Sequence, residues 1–120
     1  MKKIILLTIL LATSLCYSQN EAANWYFGDN AGINFDTGTN TVTALLDGQL
    51  ATDEGCTSIS DSNGDLLFYT DGVTIWDRRH NVMPNGQGLL GHSSSTASAL
   101  IIPKPGSKSK YYVFIISYFT

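Results

Sequence analysis

The sequence predicts an all-β fold made of antiparallel meanders, and three observations support this prediction. Beyond Gln19, no long stretch repeats apolar residues at helical spacing. Short runs of β-prone residues instead alternate with clusters of Gly, Asn, Asp and Ser, at a spacing of about ten residues. Finally, Asn-Gly and Asp-Gly pairs stand between such runs, where they favour hairpins.

The candidate strands follow one another along the chain, each ending at a Gly-, Asn-, Asp- or Pro-containing turn. They cover residues 25–27, 33–35, 41–46, 56–60, 66–70, 73–76, 99–102 and 111–119.

Two turn sequences predict a three-stranded meander in the middle of the chain. Asn63-Gly64 precedes the run 66–70, and Asp71-Gly72 joins that run to 73–76. Both pairs predict two-residue turns, because both central positions of such a turn take positive φ.

Strict alternation assigns the residues of the middle strand to two faces. It places Leu67 and Tyr69 on one face and Leu66, Phe68 and Thr70 on the other. Both faces carry bulky side chains, so we expect neighbouring structure to cover this strand on both sides.

Composition limits the classes of protein that the chain can belong to. Its 120 residues carry a net charge of −3 and suit one small domain, which buries roughly 60–70% of its unfolded surface. The hydrophobic share of 43% against 14% charged residues excludes a charge-driven disordered tail. The acidic balance argues against nucleic acid, whose binding relies on clustered Lys and Arg.

Residues 1–18 are predicted to be a secretory signal peptide, with the mature region at 19–120. Lys2 and Lys3 precede an apolar run that is shorter than the roughly 20 residues of a membrane-spanning helix, and Ser18 fits a cleavage site. An uncleaved N-terminal anchor is the alternative. Lipidation of Cys16 is disfavoured, because Leu15 stands where a lipoprotein signal needs a small residue. We therefore expect export and no membrane span after cleavage.

Cys56 is the only cysteine of the predicted mature region, so no disulfide can form within it. Asp53 and Glu54 precede it, and acidic neighbours raise a thiol pKa. We expect a small buried hydrophobic residue on a strand rather than a nucleophile.

Residues 53–86 and 93–119 share an outline that indicates a repeat. Each opens with small or hydroxyl residues, turns on Gly and leaves on an aromatic strand. Their size is that of a propeller blade, so the chain is expected to form about two blades of an incomplete β-propeller-like fold. The uncharged run 111–119 would aggregate if exposed, so we expect the chain to be an N-terminal fragment, of the kind that a truncated or frameshifted gene produces. The strand at 25–27 would complete a last blade and here stay unpaired.

Several segments in a fixed order carry a family resemblance. They are Asn24-Trp25-Tyr26-Phe27-Gly28, Thr52-Asp53-Glu54-Gly55-Cys56, the run from Asp61 to Gly72, and Met83-Pro84-Asn85-Gly86, extended by 91–96 and 102–106. Together they resemble the N-terminal propeller-like region of Bacteroidetes gliding-motility-associated or type IX secretion (type B sorting domain) proteins. The order and spacing of the segments, over nearly all of 19–114, carry the resemblance.

The resemblance implies a secreted or cell-surface scaffold or adhesion-type protein that binds a protein or glycan through propeller loops. It implies export through the periplasm, with the type IX machinery as a partner that recognises a C-terminal sorting domain outside this chain. It implies no catalytic residues and no cofactor. The tail after Phe114 departs from the family pattern, where a polar or acidic residue is expected.

Two segments are candidate sites, one for calcium binding and one for serine hydrolase chemistry. Asp61, Asn63 and Asp65 have the acid spacing of a calcium loop, but Leu66 and Gly72 stand where an EF-hand needs Gly and Glu. A hairpin tip capped by its own side chains is preferred, with a looser calcium site as the alternative. His92 beside 93–95 lacks the closing glycine of a nucleophile elbow, which favours loop contacts.

Two further clusters are expected to be structural. Asp77, Arg78, Arg79 and His80 form a charged turn that could bind an anion, but local ion pairs in a solvated loop are favoured. Five aromatic residues could form a sugar-stacking platform, although packing between strands is favoured. They are Trp25, Tyr26, Trp76, Tyr111 and Tyr112.

Two other functions remain as alternatives to the scaffold. A small carbohydrate-binding β-sandwich would need a complete core within 19–120 and an exposed aromatic face. A secreted hydrolase would need His92 or His80 beside an acid and a nucleophile.

Overall fold

The computed structural model describes residues 20–117 of the chain. The predicted signal peptide at 1–18, including Cys16, and the end of the predicted last strand at 118–119 lie outside the described residues. Within 20–117 the chain is all-β, and its helical structure is one short 3-10 turn at Asn20–Ala22. No helix in this part of the chain has the length and apolar character needed to cross a bilayer.

Eight strands form three small antiparallel sheets in chain order. The first sheet holds β1 (Asn24–Tyr26), β2 (Gly32–Asp36) and β3 (Thr41–Leu45). The second holds β4 (Thr57–Ser60), β5 (Leu66–Thr70) and β6 (Ile75–Asp77). The third holds β7 (Ala99–Pro103) and β8 (Tyr111–Ile115). The all-β prediction is confirmed, but the described residues form no closed propeller blade.

In the first sheet, β1 pairs with β2, contrary to the expectation of an unpaired N-terminal strand. Trp25 lies opposite Ile33 in an antiparallel ladder. The turn 28–30 allows this hairpin because Asp29 and Asn30 both take positive φ, which Asp and Asn tolerate better than other side chains do.

The second sheet confirms the predicted meander, but its turns are longer than predicted. Five residues separate β4 from β5, and four separate β5 from β6. Gly64 and Gly72 take positive φ, whereas Asn63 and Asp71 do not. The side chains of Asp61 and Asp71 accept backbone N–H groups two to four residues ahead, which stabilises these wider loops.

A bulge in β5 changes the predicted faces of its first two residues. Ile59 lies opposite Phe68 and Ser60 lies opposite Leu66, so Leu67 is the extra residue. Leu66 therefore packs with Tyr69, and Leu67 lies beside Phe68. The alternation predicted from sequence was wrong for this pair, because it assumes an unbroken ladder.

The middle strand is covered on both faces, as predicted. On one face, the ring of Tyr69 stacks on Tyr26 of the first sheet, with centroids 4.6 Å apart. On the other, Phe68 meets Tyr111 of the third sheet edge-on at 5.5 Å. Tyr26, Leu50 and Tyr69 form the buried core cluster.

The first strands of successive sheets contact each other. β1 contacts β4, and β4 contacts β7. The sheets thus stack in the order in which the chain forms them. Within residues 20–117 there is no pair of facing sheets around one core, which is the arrangement that the β-sandwich alternative requires.

Candidate functional site: the interface between the first and second sheets

A group of interacting polar and aromatic side chains lies between the first and second sheets, at a contact that we call the first interface. Tyr26 reaches it from β1, and Tyr69 and Trp76 reach it from β5 and β6. Trp76 stacks on Tyr69 with centroids 5.5 Å apart and planes inclined by 15°. Since Tyr26 stacks on Tyr69 at the same inclination, the three rings form a layered aromatic set.

The turn after β6 places the His80 side chain at the first interface. Asp77 accepts backbone N–H groups from Arg79 and Asn81, and His80 takes a φ of 64°. This left-handed conformation is uncommon for a side chain larger than Asn. It brings the imidazole to 5.6 Å from the Tyr26 ring and 5.8 Å from the Tyr69 ring, measured between centroids.

His80 links a carboxylate to a buried phenol. Its Nε2 lies 3.2 Å from Asp47 Oδ2, and its Nδ1 lies 3.0 Å from the Tyr69 hydroxyl. The carboxylate can only accept, so Nε2 carries a proton. In the neutral ring, Nδ1 then accepts from the Tyr69 O–H.

Two further hydrogen bonds complete the network. The Tyr26 hydroxyl donates to Asp47 Oδ1 at 3.0 Å, and the Gln49 N–H donates to the Tyr69 oxygen at 3.1 Å. Asp47 therefore accepts from both sheets, since Tyr26 belongs to the first and His80 follows the second. This loop of contacts fixes the relative position of the two sheets.

The electrostatics of the network keep both phenols protonated. Burial raises the pKa of Tyr69 to about 12. The pKa of Tyr26 lies well above its ordinary value, chiefly through burial and then through its hydrogen bond to Asp47. The arrangement consequently provides hydrogen-bond donors, and neither phenol is poised as a nucleophile or base near neutral pH.

Asn24 adds a second polar connection across the same interface. Its side-chain N–H group donates to Ser60 Oγ at 2.9 Å and to the Gly64 carbonyl at 2.8 Å. Its side-chain oxygen accepts from Asn34 Nδ2 at 2.9 Å. This buried amide thus uses both of its polar ends, as buried polar groups require.

The free edge of β1 is capped by side chains of the second sheet. The Ala23 carbonyl and the Phe27 N–H group form hydrogen bonds on the β2 side of β1. Because backbone groups alternate along a strand, the carbonyls of Asn24 and Tyr26 point away from β2. Ser58 Oγ donates to the Asn24 carbonyl at 2.6 Å, and the Cys56 thiol donates to the Tyr26 carbonyl at 3.2 Å.

Cys56 lies immediately before β4 and is half-buried, close to the predicted role as a packed small residue. Burial raises the pKa of its thiol, and Asp71 raises it further. The sequence predicted that Asp53 and Glu54 would raise the pKa of the thiol, whereas in the fold the acidic residue that raises it is Asp71. The thiol packs against the core cluster of Tyr26, Leu50 and Tyr69.

The charged turn at 77–80 has partners that the sequence did not indicate. Local ion pairs were expected, but His80 contacts Asp47 from a distant loop. Arg78 and Arg79 are exposed. The pKa of Asp77 lies below its ordinary value, mainly because its carboxylate accepts the Asn81 N–H. No local pattern could have revealed the His80–Asp47 pair, because the stacking of two sheets creates it.

The calcium candidate forms a hairpin tip. Asp61 Oδ1 accepts from the N–H groups of Asn63 and Asp65, at 2.8 and 3.1 Å. Across residues 20–117, no group of three His, Cys, Asp or Glu side chains is arranged to hold a metal ion.

The segment around His92 folds back on the loop before β4. His92 Nδ1 accepts the Ser94 N–H at 3.1 Å. The Ser93 carbonyl accepts from Glu54 N–H and from Thr52 Oγ1. The backbone of this serine-rich run thus makes several hydrogen bonds with the loop before β4.

The five candidate aromatic residues do not form one platform. Tyr26, Trp76 and Tyr111 pack between sheets. Trp25 is 47% exposed on the first sheet, where it meets Phe35 edge-on. Tyr112 is 46% exposed on the third sheet.

The fold and site define the class as an all-β chain of three stacked antiparallel sheets joined by polar and aromatic contacts. No family model, curated protein or solved structure matches it.

Proposed function

We propose that the chain is an exported, non-catalytic scaffold or adhesion-type protein with a β-propeller-like architecture. In this proposal it acts outside the cell or on the outer cell surface, after passage through the periplasm by way of the type IX machinery. Its loops bind a protein or glycan partner. The sequence resemblance supports the location and route of export.

The observation that carries the architectural part is the contact between the first strands of successive sheets. In a propeller, each blade is a small antiparallel sheet, and the blades pack face to face around a central axis. Neighbouring blades consequently approach each other through their innermost strands. The contacts of β1 with β4 and of β4 with β7 follow this order.

The non-catalytic part rests on how the polar side chains of the interface are used. His80, Asp47 and Tyr69 form a continuous hydrogen-bonded set, the kind of arrangement from which a hydrolase would be built. Yet Tyr69 is fully buried, with a raised pKa, and its hydroxyl bonds Gln49 and His80. These contacts favour a role in joining sheets.

A groove between two loops favours carbohydrate as the ligand, the second candidate function. It has a volume of about 350 Å³ and lies between the β2–β3 turn and the β4–β5 loop. Asn34, Asp36, Asn63 and Asp65 line it, together with Phe35. Amide and carboxylate groups can bond the hydroxyl groups of a sugar.

Two experiments test the proposal. Protease treatment of intact cells that express the epitope-tagged full chain should remove the tag if the protein reaches the outer surface. A tag that stays protected until the cells are lysed would contradict the proposed location.

Binding is tested with the purified chain on an array of immobilised glycans. Replacing Asn63 and Asp65 by Ala should reduce any signal at least about tenfold, since each lost hydrogen bond costs on the order of 1 kcal/mol. The control is Gln87→Ala, which changes an exposed amide outside the groove. Equal signals from both variants would exclude the groove as the glycan site.

A further inference from the structure

Charge is divided unevenly along the described chain. All 10 acidic residues lie between residues 20 and 77, a stretch that contains no Lys or Arg. Residues 78–117 contain five basic residues and no acidic one. The basic residues occupy two turns, with Arg78 and Arg79 after β6, and Lys104, Lys108 and Lys110 between β7 and β8. The surface near these turns should therefore attract anions.

An open cleft with a volume of about 480 Å³ lies between the second and third sheets. The two sheets contact each other at β4 and β7, and the rings of Phe68 and Tyr111 meet edge-on in the wall of the cleft. Leu67, Ile75 and Val113 supply further apolar wall. A concave site of this size with mainly apolar walls is typical of small-molecule binding.

The two basic turns border one end of this cleft. Lys108 and Ser109 precede β8 and line the cleft together with Leu67. Leu67 also borders a smaller depression that Arg78 and Arg79 line. The Leu67 end of the cleft is therefore its basic end.

The other end of the cleft is apolar. Ile75 pairs with Thr70, at the opposite end of β5 from Leu67, and its carbonyl accepts the N–H group of Met83. Met83 also lines the cleft, and its unbranched side chain can adapt to a flexible ligand. The cleft is thus basic at one end and apolar at the other, as a site for an amphipathic anion requires.

The Lys108 side chain has no acidic partner among residues 20–117. It is exposed, and no carboxylate of these residues lies within 4 Å of its ammonium group. Glu21 and Asp61 line a separate pocket that Lys108 also borders, but neither forms an ion pair with it. The Asp77 carboxylate, in the smaller depression, already accepts two backbone N–H groups.

We propose that this cleft binds a fatty carboxylate. The carboxylate group accepts hydrogen bonds from the Lys108 ammonium, with Arg78 and Arg79 adding longer-range attraction. The acyl chain lies along the apolar walls towards Met83, where each buried methylene group strengthens binding. The site is separate from the groove between the β2–β3 turn and the β4–β5 loop, so the inference goes beyond the proposed function.

Isothermal titration calorimetry of the full chain with sodium decanoate, near neutral pH, tests this binding. We expect one saturable site. Octanoate should bind about tenfold or more weaker, because two methylene groups fewer are buried. 1-Decanol has the same chain length without the charge, and it should also bind about tenfold or more weaker than decanoate.

Lys108→Gln should weaken decanoate binding by about tenfold or more and leave the binding of 1-decanol unchanged, since the variant alters only the contact with the charged group. Lys104→Gln is the matched control, because it removes the same charge from the same turn at a residue that does not line the cleft. It should change decanoate affinity by less than about threefold. Both lysines are exposed, so both variants should keep the far-ultraviolet circular dichroism of the parent chain.

Four results would overturn the proposal. No saturable binding of decanoate up to about 1 mM would exclude the site, as expected if another segment of the protein fills the cleft. Equal affinities for decanoate and 1-decanol would exclude recognition of the carboxylate. Equal losses from Lys108→Gln and Lys104→Gln would indicate general attraction by the positive surface. Binding to vesicles of anionic phospholipid without binding of decanoate would indicate a membrane surface as the ligand.

Discussion

The two interfaces on either side of the second sheet are built differently. The first interface, with the first sheet, contains stacked rings and a set of directional hydrogen bonds centred on Asp47, His80 and Asn24. The second interface, with the third sheet, joins the sheet faces by apolar contact such as that of Phe68 with Tyr111, and its hydrogen bonds lie between the loop before β4 and the segment before β7. It also encloses an open cleft of about 480 Å³ lined by Leu67 and Val113.

The comparison shows that two kinds of contact can hold neighbouring sheets in the same stacked arrangement. Hydrogen bonds demand particular atoms at particular distances, so the first interface admits one arrangement of its sheets. Apolar contact is less directional, so the second interface tolerates adjustment. Substitutions on the two sides of the second sheet test this contrast.

Tyr69→Ala is expected to have the largest effect, because it removes the fully buried ring at the centre of the first interface. It should lower the free energy of unfolding by about 4 kcal/mol, the cost typical of a large buried aromatic residue. Tyr111→Ala in the second interface should cost about half of that, because Tyr111 is only partly buried. Urea denaturation followed by tryptophan fluorescence measures both.

Tyr112→Ala is the control for this pair, since the residue lies next to Tyr111 but on the exposed face. Its effect should stay below about 1 kcal/mol. Equal losses from Tyr69→Ala and Tyr111→Ala would contradict the contrast between the interfaces.

Asn24→Ala should have the next largest effect and lower the free energy of unfolding by about 2–3 kcal/mol. The reason is that Ser60 Oγ and the Gly64 carbonyl lose their hydrogen-bond donor in a buried setting. The same urea assay applies. Asn63→Ala removes an exposed amide and should change stability by less than about 0.5 kcal/mol. Should Asn24→Ala prove as mild as Asn63→Ala, the polar connection would not hold the sheets together.

Asp47→Ala should lower the free energy of unfolding by about 1 kcal/mol, because the contacts of a half-exposed carboxylate with its partners contribute little to stability. A double-mutant cycle with His80→Asn isolates the contact, since Asn also tolerates the positive φ at that position. Coupling between the two changes is expected. Strict additivity would show that the His80–Asp47 contact is not formed in solution.

The smallest effect concerns acid pH. The folded-state pKa of Asp77 lies below its ordinary value of 3.8, as does that of Asp36. A lowered folded pKa stabilises the fold above the unfolded pKa, and this contribution is lost as pH falls through the folded pKa. Stability should therefore decline below about pH 4.

Asp77→Asn tests this assignment, because the amide oxygen still accepts the N–H groups of Arg79 and Asn81 but does not titrate near pH 4. Urea midpoints at pH 6 and pH 3 should differ less in this variant than in the parent chain. An unchanged difference would exclude Asp77 as a source of the acid sensitivity.

The local sequence pattern predicted the strands well, since each of the eight described strands overlaps a predicted β-prone run and the meander of β4–β6 is present. It was wrong about details that depend on neighbours. The bulge at Leu67 breaks an alternation that periodicity assumes. The loops after Asp61 and Asp71 are widened by side-chain bonds that compete with two-residue turns.

The site was less predictable than the fold. Tyr26, Trp76 and His80 were candidate site residues in the sequence, whereas Asn24 only contributed to the family resemblance and Asp47 was not singled out. Asp47 lies in the loop after β3, and it contacts His80 only because the first and second sheets pack together. Contacts of this kind carry no local signal, whereas hydrophobic alternation and turn residues do.

The thiol of Cys56 gives the first interface an internal reporter. It is the only cysteine of the described residues, and it reaches the Tyr26 carbonyl across the contact between β4 and β1. Because the thiol is only half-buried, a reagent that alkylates thiols reaches it at a basal rate, and separation of these strands should raise that rate. An increase in the rate of labelling would then report that the first two sheets part, without a cysteine introduced by mutation.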